Sequence, residues 1–198
     1  VNLPNTILVA GRAGSGKSTV ANHLAASRGY AIASLADPMK RFAADVFGWD
    51  GDRLWGPSEL RNAVDPAWGF SARHALQTLG TEWGRALHPE IWIRYACRGD
   101  GRRVFQDARF ENEITTFRKL GALTILLEGS VRPLDSTFAA HSSETTEWRP
   151  EWFDVVIHPC EGVGVLCARV DHALGAWAHI GPGEGWSPEA YTVRRAEV

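Results

Sequence analysis

The chain has 198 residues, enough for one sizeable core, and a formal net charge of −2, which gives no support for wholesale coating of a nucleic acid. Its three cysteines, Cys97, Cys160 and Cys167, lack metal-ligand spacing and read as reduced thiols. Neither a signal peptide nor an apolar run of about 18 residues is present, so the composition excludes a secreted or membrane-spanning reading and predicts a cytoplasmic protein.

Thr6-Ile-Leu-Val-Ala10 is a short apolar, β-branched run and reads as a buried strand. Gly11-Arg-Ala-Gly-Ser-Gly-Lys-Ser18 follows and fits G-x-x-x-x-G-K-[ST], the phosphate-binding loop. A helix is predicted from Ser18 to Ser27, with Val20, Leu24 and Ala25 on one face and Gly29 past its end. Strand, glycine loop and helix in that order is the context the motif needs. Glycines let main-chain N–H groups curl around a polyphosphate, and the helix N-terminus adds partial positive charge. Gly11, Ala13, Gly14, Ser15, Gly16, Lys17, Ser18 and Thr19 are therefore the candidate nucleotide contacts. Lys17 is expected to reach the β- and γ-phosphates of ATP, and the Ser18 hydroxyl to ligate Mg²⁺.

A second strand is predicted at Tyr30–Leu35. Asp37-Pro38 reads as an N-cap followed by proline at the first helical position, opening a helix that Gly48 closes. Residues 49–69 are rich in Gly, Pro, Trp and Asp and read as an irregular excursion. A helix from about Ser71 to Leu87 carries Ala72, Leu76, Leu79, Trp83 and Leu87 on one face, and a short helix spans roughly Pro89–Arg98. Gly80 and Gly84 sit inside that helical pattern, each at a cost of about 1 kcal/mol relative to Ala. They read either as a break between two shorter helices or, as favoured here, as places where the backbone approaches a ligand closely. Trp83 and Trp92 have the spacing of core residues.

Arg103–Asp107 is a third strand ending in a carboxylate. Phe110, Ile114, Phe117 and Leu120 mark the next helix, in which Glu111 and Glu113 suit the N-terminal dipole. Ala122–Leu127 and Asp154–His158 are the fourth and fifth strands, and Val163–Leu174 a final helix. Residues 129–150 are polar and aperiodic, as in a flap. The tail from Gly175, with Trp177 and Trp186, gives no assignable pattern.

Strands alternating with helices imply an α/β three-layer sandwich, with a mostly parallel five-stranded sheet and helices on both faces. The chain reads as one domain over 1–198, with an acceptor-binding region at about 49–98, a lid at about 129–150 and a tail at 175–198. In such sheets ligands collect at the carboxyl ends of the strands. The phosphate loop, Asp37 and Asp107 all fall there. No Asn-Lys-x-Asp guanine-reading motif is present, and the pattern suits a small-molecule kinase of the P-loop class.

Four further segments carry a family resemblance. They are Leu35-Ala-Asp-Pro-Met-Lys40, Leu79-Gly-Thr-Glu-Trp-Gly-Arg85, Asp107-Ala-Arg-Phe-Glu-Asn-Glu113 and His141-Ser-Ser-Glu144. Their order and residues resemble the bacteriophage-type deoxynucleoside monophosphate kinases, over about residues 5–160. Two departures stand out: Gly-Lys-Ser-Thr replaces Gly-Lys-Asp-Thr in the loop, and His158-Pro-Cys-Glu-Gly replaces an Asn-containing turn near the donor base.

The resemblance implies ATP and Mg²⁺ as donor and metal, and a deoxynucleoside monophosphate as the acceptor. Lys17, Asp37, Asp107, Arg109 and Arg132 would be catalytic. Ser18 and Asp107 would hold the metal, Arg109 would neutralise charge on the moving phosphoryl group, and Arg132 would clamp it from the lid. Asp37, Lys40, Arg41, Arg73, Gln77, Thr81, Glu82, Arg85, Trp92, Arg109, Glu111 and Asn112 would line the acceptor. His141, Ser143 and Glu144 fall in the same lid. Three alternatives stay open: a kinase of hydroxymethylated bases in DNA, a dephospho-coenzyme A kinase, and a nucleotide sensor without turnover. DNA is a partner only under the first. No membrane partner is expected, a homodimer is left open, and a phage-encoded protein would work in its host's cytoplasm.

Overall fold

The computed structural model describes residues 3–12, 14–129, 148–180 and 192–193. In chain order these form β1 (Thr6–Gly11), α1 (Lys17–Arg28), β2 (Ala31–Ala33), α2 (Asp37–Phe47), α3 (Gly51–Trp55), α4 (Ser58–Asn62) and α5 (Ala72–Gln77). A π-helical segment, Thr78–Gly84, runs into α6 (Arg85–Leu87), followed by α7 (Ile91–Ala96), β3 (Arg103–Phe105), α8 (Glu111–Lys119) and β4 (Leu123–Leu127). A 3₁₀ turn at Pro150–Trp152, then β5 (Val155–Ile157), α9 (Val163–Ile180) and β6 (Thr192–Val193), complete the series. The chain divides into two compact units: residues 1–33 with 100–198, and residues 34–99.

In the first unit, period-two alternation decides the layering. Ile7 and Val9 of β1, Leu123, Ile125 and Leu127 of β4, and Val155 and Ile157 of β5 share one core with α1 and α9. Val20, Ala21 and Leu24 of α1 and Val170, Ala173, Leu174 and Trp177 of α9 fill the other side of that layer. The opposite face carries α8, whose Phe117 ring lies 5.3 Å from that of Phe105. The strand order is β2-β3-β1-β4-β5-β6, with every pairing parallel. The five expected strands are all present. A sixth, Thr192–Val193, extends the edge beside β5, where the tail's composition gave no signal.

Asp154 and Tyr30, buried in this unit, have their polar atoms paired. Asp154 accepts from the Thr124 amide at 2.9 Å and from its hydroxyl at 2.8 Å, and its other oxygen accepts from Arg118 Nε at 2.7 Å. Tyr30 donates its phenol to Pro4 O at 2.6 Å, and burial pushes its pKa up to about 12, so it remains a donor. Outside the core, Asp171 accepts from Arg28 at 3.0 Å and pairs with His23 at 3.0 Å. Burial pushes its carboxyl up, but these two partners outweigh that and hold it below the ordinary range.

The second unit has its own core, built from Ala43, Trp49, Leu54, Ala72 and Ala75 with Phe47, Phe70 and Leu76 against it. Phe47 is its centre, with ring centroids of Trp49, Trp68 and Phe70 at 4.7, 5.2 and 5.5 Å. The stretch expected to be irregular holds α3 and α4. Asp50 caps α3 by accepting from the Arg53 amide at 2.8 Å. The single helix expected at 71–87 is interrupted instead, because Thr78–Gly84 adopts the wider π turn.

Candidate active site

The phosphate loop occupies the carboxyl end of β1. Gly14 and Gly16 adopt φ of +78° and +98°, which favour glycine, and Gly16 leads directly into α1. No side chain caps α1 and no acidic residue lies in its first turn, so its N-terminal amides face outward uncapped by side chains. Lys17 Nζ donates to the main-chain oxygens of Gly11 and Arg12, at 2.7 Å each, which curls the lysine over the loop. Ser15 Oγ is buried without a hydrogen-bond partner. A Cβ at Gly11 would lie 2.5 Å from Leu127 O and 2.7 Å from Ser15 Oγ. An orphaned hydroxyl, uncapped amides and a glycine cradle fit a polyphosphate.

Asp107 lies one strand over, two residues past β3, which pairs with β1 in the register Leu8↔Phe105. The expected strand is thus two residues shorter, and Asp107 stands on the turn beyond it. That turn is held by Glu113 of α8. Its carboxylate, 5% exposed, accepts from the amides of Arg109 at 2.8 Å and Phe110 at 3.1 Å. Glu113, read from the sequence as a complement to the helix dipole, is the residue that fixes the Asp107–Arg109 segment. Glu111 is exposed and Asn112 half-buried at the start of α8. Ser18, exposed on α1, and Asp107 offer the hard oxygen donors that Mg²⁺ takes while retaining several waters.

A cavity of about 390 Å³ opens from the phosphate loop. Gly14, Ser15, Gly16 and Thr19 form one end, and Leu127, Ile157, Pro159, Val163 and Leu166 supply apolar walls. This volume lies within the roughly 300–1,000 Å³ of small-ligand sites. Glu128 and His158 also line it and pair at 2.6 Å, Glu128 Oε2 to His158 Nδ1. Glu128 did not stand out in the sequence, whereas His158 did, as the first residue of the segment that departs from the family's Asn-containing turn. They are the first residues beyond β4 and β5, whose register Leu127↔Ile157 makes them neighbours. The signal available for Glu128 was a titratable residue directly after an apolar strand, matched by His158 after the next one.

The other expected residues belong to the second unit. Asp37 is the first residue of α2 rather than its cap, which is Ala36. Its carboxylate accepts from the Ser34 amide at 3.1 Å and from Trp55 Nε1 at 3.2 Å. Trp55 is a second residue the sequence did not single out: it is half-exposed, and Lys40 Nζ sits 5.4 Å from its ring. Arg41 donates to Tyr95 OH at 2.9 Å. Arg73 and Gln77 lie half-buried on α5, Thr81 and Glu82 are exposed on the π segment, and Arg85 is half-buried on α6. Gly80 and Gly84 have a different explanation from the expected one. A Cβ at Gly80 would meet Met39 Sδ at 2.9 Å, and one at Gly84 would meet Trp92 Cζ2 at 2.2 Å. These glycines make room for side chains, and Trp92 spends its indole N–H on Gly80 O at 2.8 Å. Trp92 thus packs within the second unit, while Trp83, expected in the core, is 54% exposed.

Ala13, Arg132, His141, Ser143 and Glu144 lie outside the described residues. Among the described residues no helix is long and apolar enough to cross a membrane. No protein-family model matches the chain. A protein of Acanthamoeba polyphaga mimivirus named "Putative deoxynucleotide monophosphate kinase" is 29% identical over 170 residues, which is 74% of this chain and 84% of that protein. Among solved structures, an unliganded sugar kinase from Janibacter sp. HTCC2649 superposes with a TM-score of 0.47 at 16% identity, over 90% of this chain and 98% of that one. TT1252 from Thermus thermophilus superposes with a TM-score of 0.31 at 28% identity, over 64% and 66% of the two chains.

Proposed function

We propose that this kinase-type phosphotransferase, similar over most of its length to a deoxynucleotide monophosphate kinase, moves the γ-phosphoryl group of ATP onto the 5′-phosphate of a deoxynucleoside monophosphate. The observation that carries the reading is the pairing, at adjacent strand ends, of a glycine phosphate loop bearing Lys17 with the Asp107–Arg109 turn. The phosphate-loop amides and Lys17 would bind the donor's phosphates. Arg109 would meet the negative charge that spreads over the equatorial oxygens as the bond to the leaving ADP lengthens. Ser18 and Asp107 would hold Mg²⁺, which when bound neutralises charge between the β- and γ-phosphates. The acceptor oxygen is already ionised near neutral pH, so positioning and charge neutralisation suffice without a strong general base.

The second unit supplies the candidate acceptor groups: Asp37, Lys40, Arg41, Arg73 and Arg85, with Trp55 as an exposed aromatic surface beside Asp37. A small anion needs only local cations, whereas a long polyanion needs an extended basic track, and the net charge of −2 favours the former. The test is to supply ATP and Mg²⁺ with each of the four deoxynucleoside monophosphates, with hydroxymethyl-containing DNA and with dephospho-coenzyme A, following ADP release and identifying the product. Turnover on at least one monophosphate is expected. Labelling of the modified DNA or of dephospho-coenzyme A alone would replace this reading.

A further inference from the structure

Resting on the reading of the first unit's cavity as the ATP donor site, we propose that the Glu128–His158 pair selects the donor base, favouring a 6-amino over a 6-oxo purine. The cavity has the polarity of a nucleotide site laid end to end. Its glycine end meets phosphates, its aliphatic walls suit the faces of a planar ring, and the paired carboxylate and imidazole provide a polar edge.

The pairing decides what that edge offers. A carboxylate only accepts hydrogen bonds, so at 2.6 Å the proton between Glu128 Oε2 and His158 Nδ1 belongs to Nδ1. In the neutral ring Nε2 then carries the free lone pair. An Nε2 acceptor matches the exocyclic amine at position 6 of adenine. It opposes the carbonyl oxygen at the same position of guanine or hypoxanthine, where two acceptors would meet.

The backbone around the pair is held in place. Glu128 N donates to Ile157 O at 3.0 Å. Arg169 Nη1 donates to His158 O at 3.0 Å. Pro159 packs so closely on Gly129, which has φ of +80°, that a Cβ there would lie 2.6 Å from Pro159 Cγ. The imidazole is therefore anchored through its own carbonyl, its strand register and its carboxylate partner, as a discriminating group requires.

The experiment compares ATP with inosine triphosphate, which differs at position 6, by calorimetric binding to the full chain and by kcat/KM with a deoxynucleoside monophosphate acceptor, at pH 8. The unchanged protein is expected to prefer ATP by at least about tenfold, the ratio set by one hydrogen bond made against one opposed. H158A should bring the ratio to about twofold or less. E128A should lower it as well, because without an acceptor at Nδ1 the ring proton is free to sit on Nε2. Melting curves confirm folding, and E128A decides should H158A not fold. An ATP preference untouched in both variants, or absent from the unchanged protein, overturns this inference alone. Selective binding of ATP without transfer to any monophosphate leaves it standing and removes the proposed reaction. Failure to bind either nucleotide removes both.

Discussion

Glu113 Oε2 lies 2.8 Å from the amide nitrogen of Arg109, so a buried carboxylate on α8 positions the backbone that carries the guanidinium. Glu113→Ala leaves two amides to find water in a largely buried place. Loss of stability of about 1–3 kcal/mol is expected in urea unfolding. Activity per folded molecule should fall too, by about tenfold or more, because a turn displaced by a fraction of an ångström misplaces Arg109. Normal kcat in folded E113A would confine Glu113 to structure.

Lys17→Ala should leave the far-ultraviolet circular dichroism unchanged, since the side chain lies over the loop and outside the core. Phosphoryl transfer should fall by roughly 10²-fold or more, the usual loss of about 3 kcal/mol for a charge contact to a transition state. Near-normal turnover in the folded variant would remove the loop from the chemistry.

Asp107→Asn and Arg109→Ala should each lower kcat more than they raise the KM for ATP, because both act on charge that develops during transfer. Steady-state kinetics over a full ATP range separates the two effects. A change confined to KM assigns that residue to ground-state binding.

Gly84→Ala should destabilise the protein by about 1–3 kcal/mol, since the new methyl would lie 2.2 Å from the Trp92 ring. Gly80→Ala meets only the flexible end of Met39, at 2.9 Å, and should cost clearly less. Denaturant midpoints of the two variants rank them directly. The reverse order would mean that the π segment, not packing, sets the cost.

Asp171 has a folded pKa held below its ordinary value, so its contribution to stability is complete above about pH 4, the unfolded carboxyl value. It fades as pH falls through the folded value. Asp171→Asn should therefore flatten the acid side of the stability profile. A parallel profile, merely displaced, would show that the His23 and Arg28 contacts act without titration.

Local signals were legible in the sequence. Thr6–Ala10, the glycines after it and the amphipathic helix that follows are contiguous, and the structure reproduces them with the helix running Lys17–Arg28. The resemblance carried by the four motifs is borne out by the mimivirus relative. What escaped was non-local or irregular. The Glu128–His158 pair exists only through the register of two strands. Trp55 meets Asp37 only once α3 folds beside α2. The π turn has no 3.6-residue signature to read, and its glycines lie against Met39 and Trp92, which only the folded second unit brings to them. Strand β6 is two residues long, too short for any alternation to register.

Gly16 lies so close to Leu166 of α9 that a Cβ on the glycine would sit 2.8 Å from Leu166 Cδ2. The glycine motif after β1 is thus backed by α9, more than a hundred residues further along the chain. The second unit, residues 34–99, emerges between them and has a core of its own. On a growing chain it can consolidate while the phosphate loop still waits for its support, a long-range closure of the kind that slows folding. A truncation before α9 would then give a chain with its glycine motif intact and nothing of Leu166 behind Gly16.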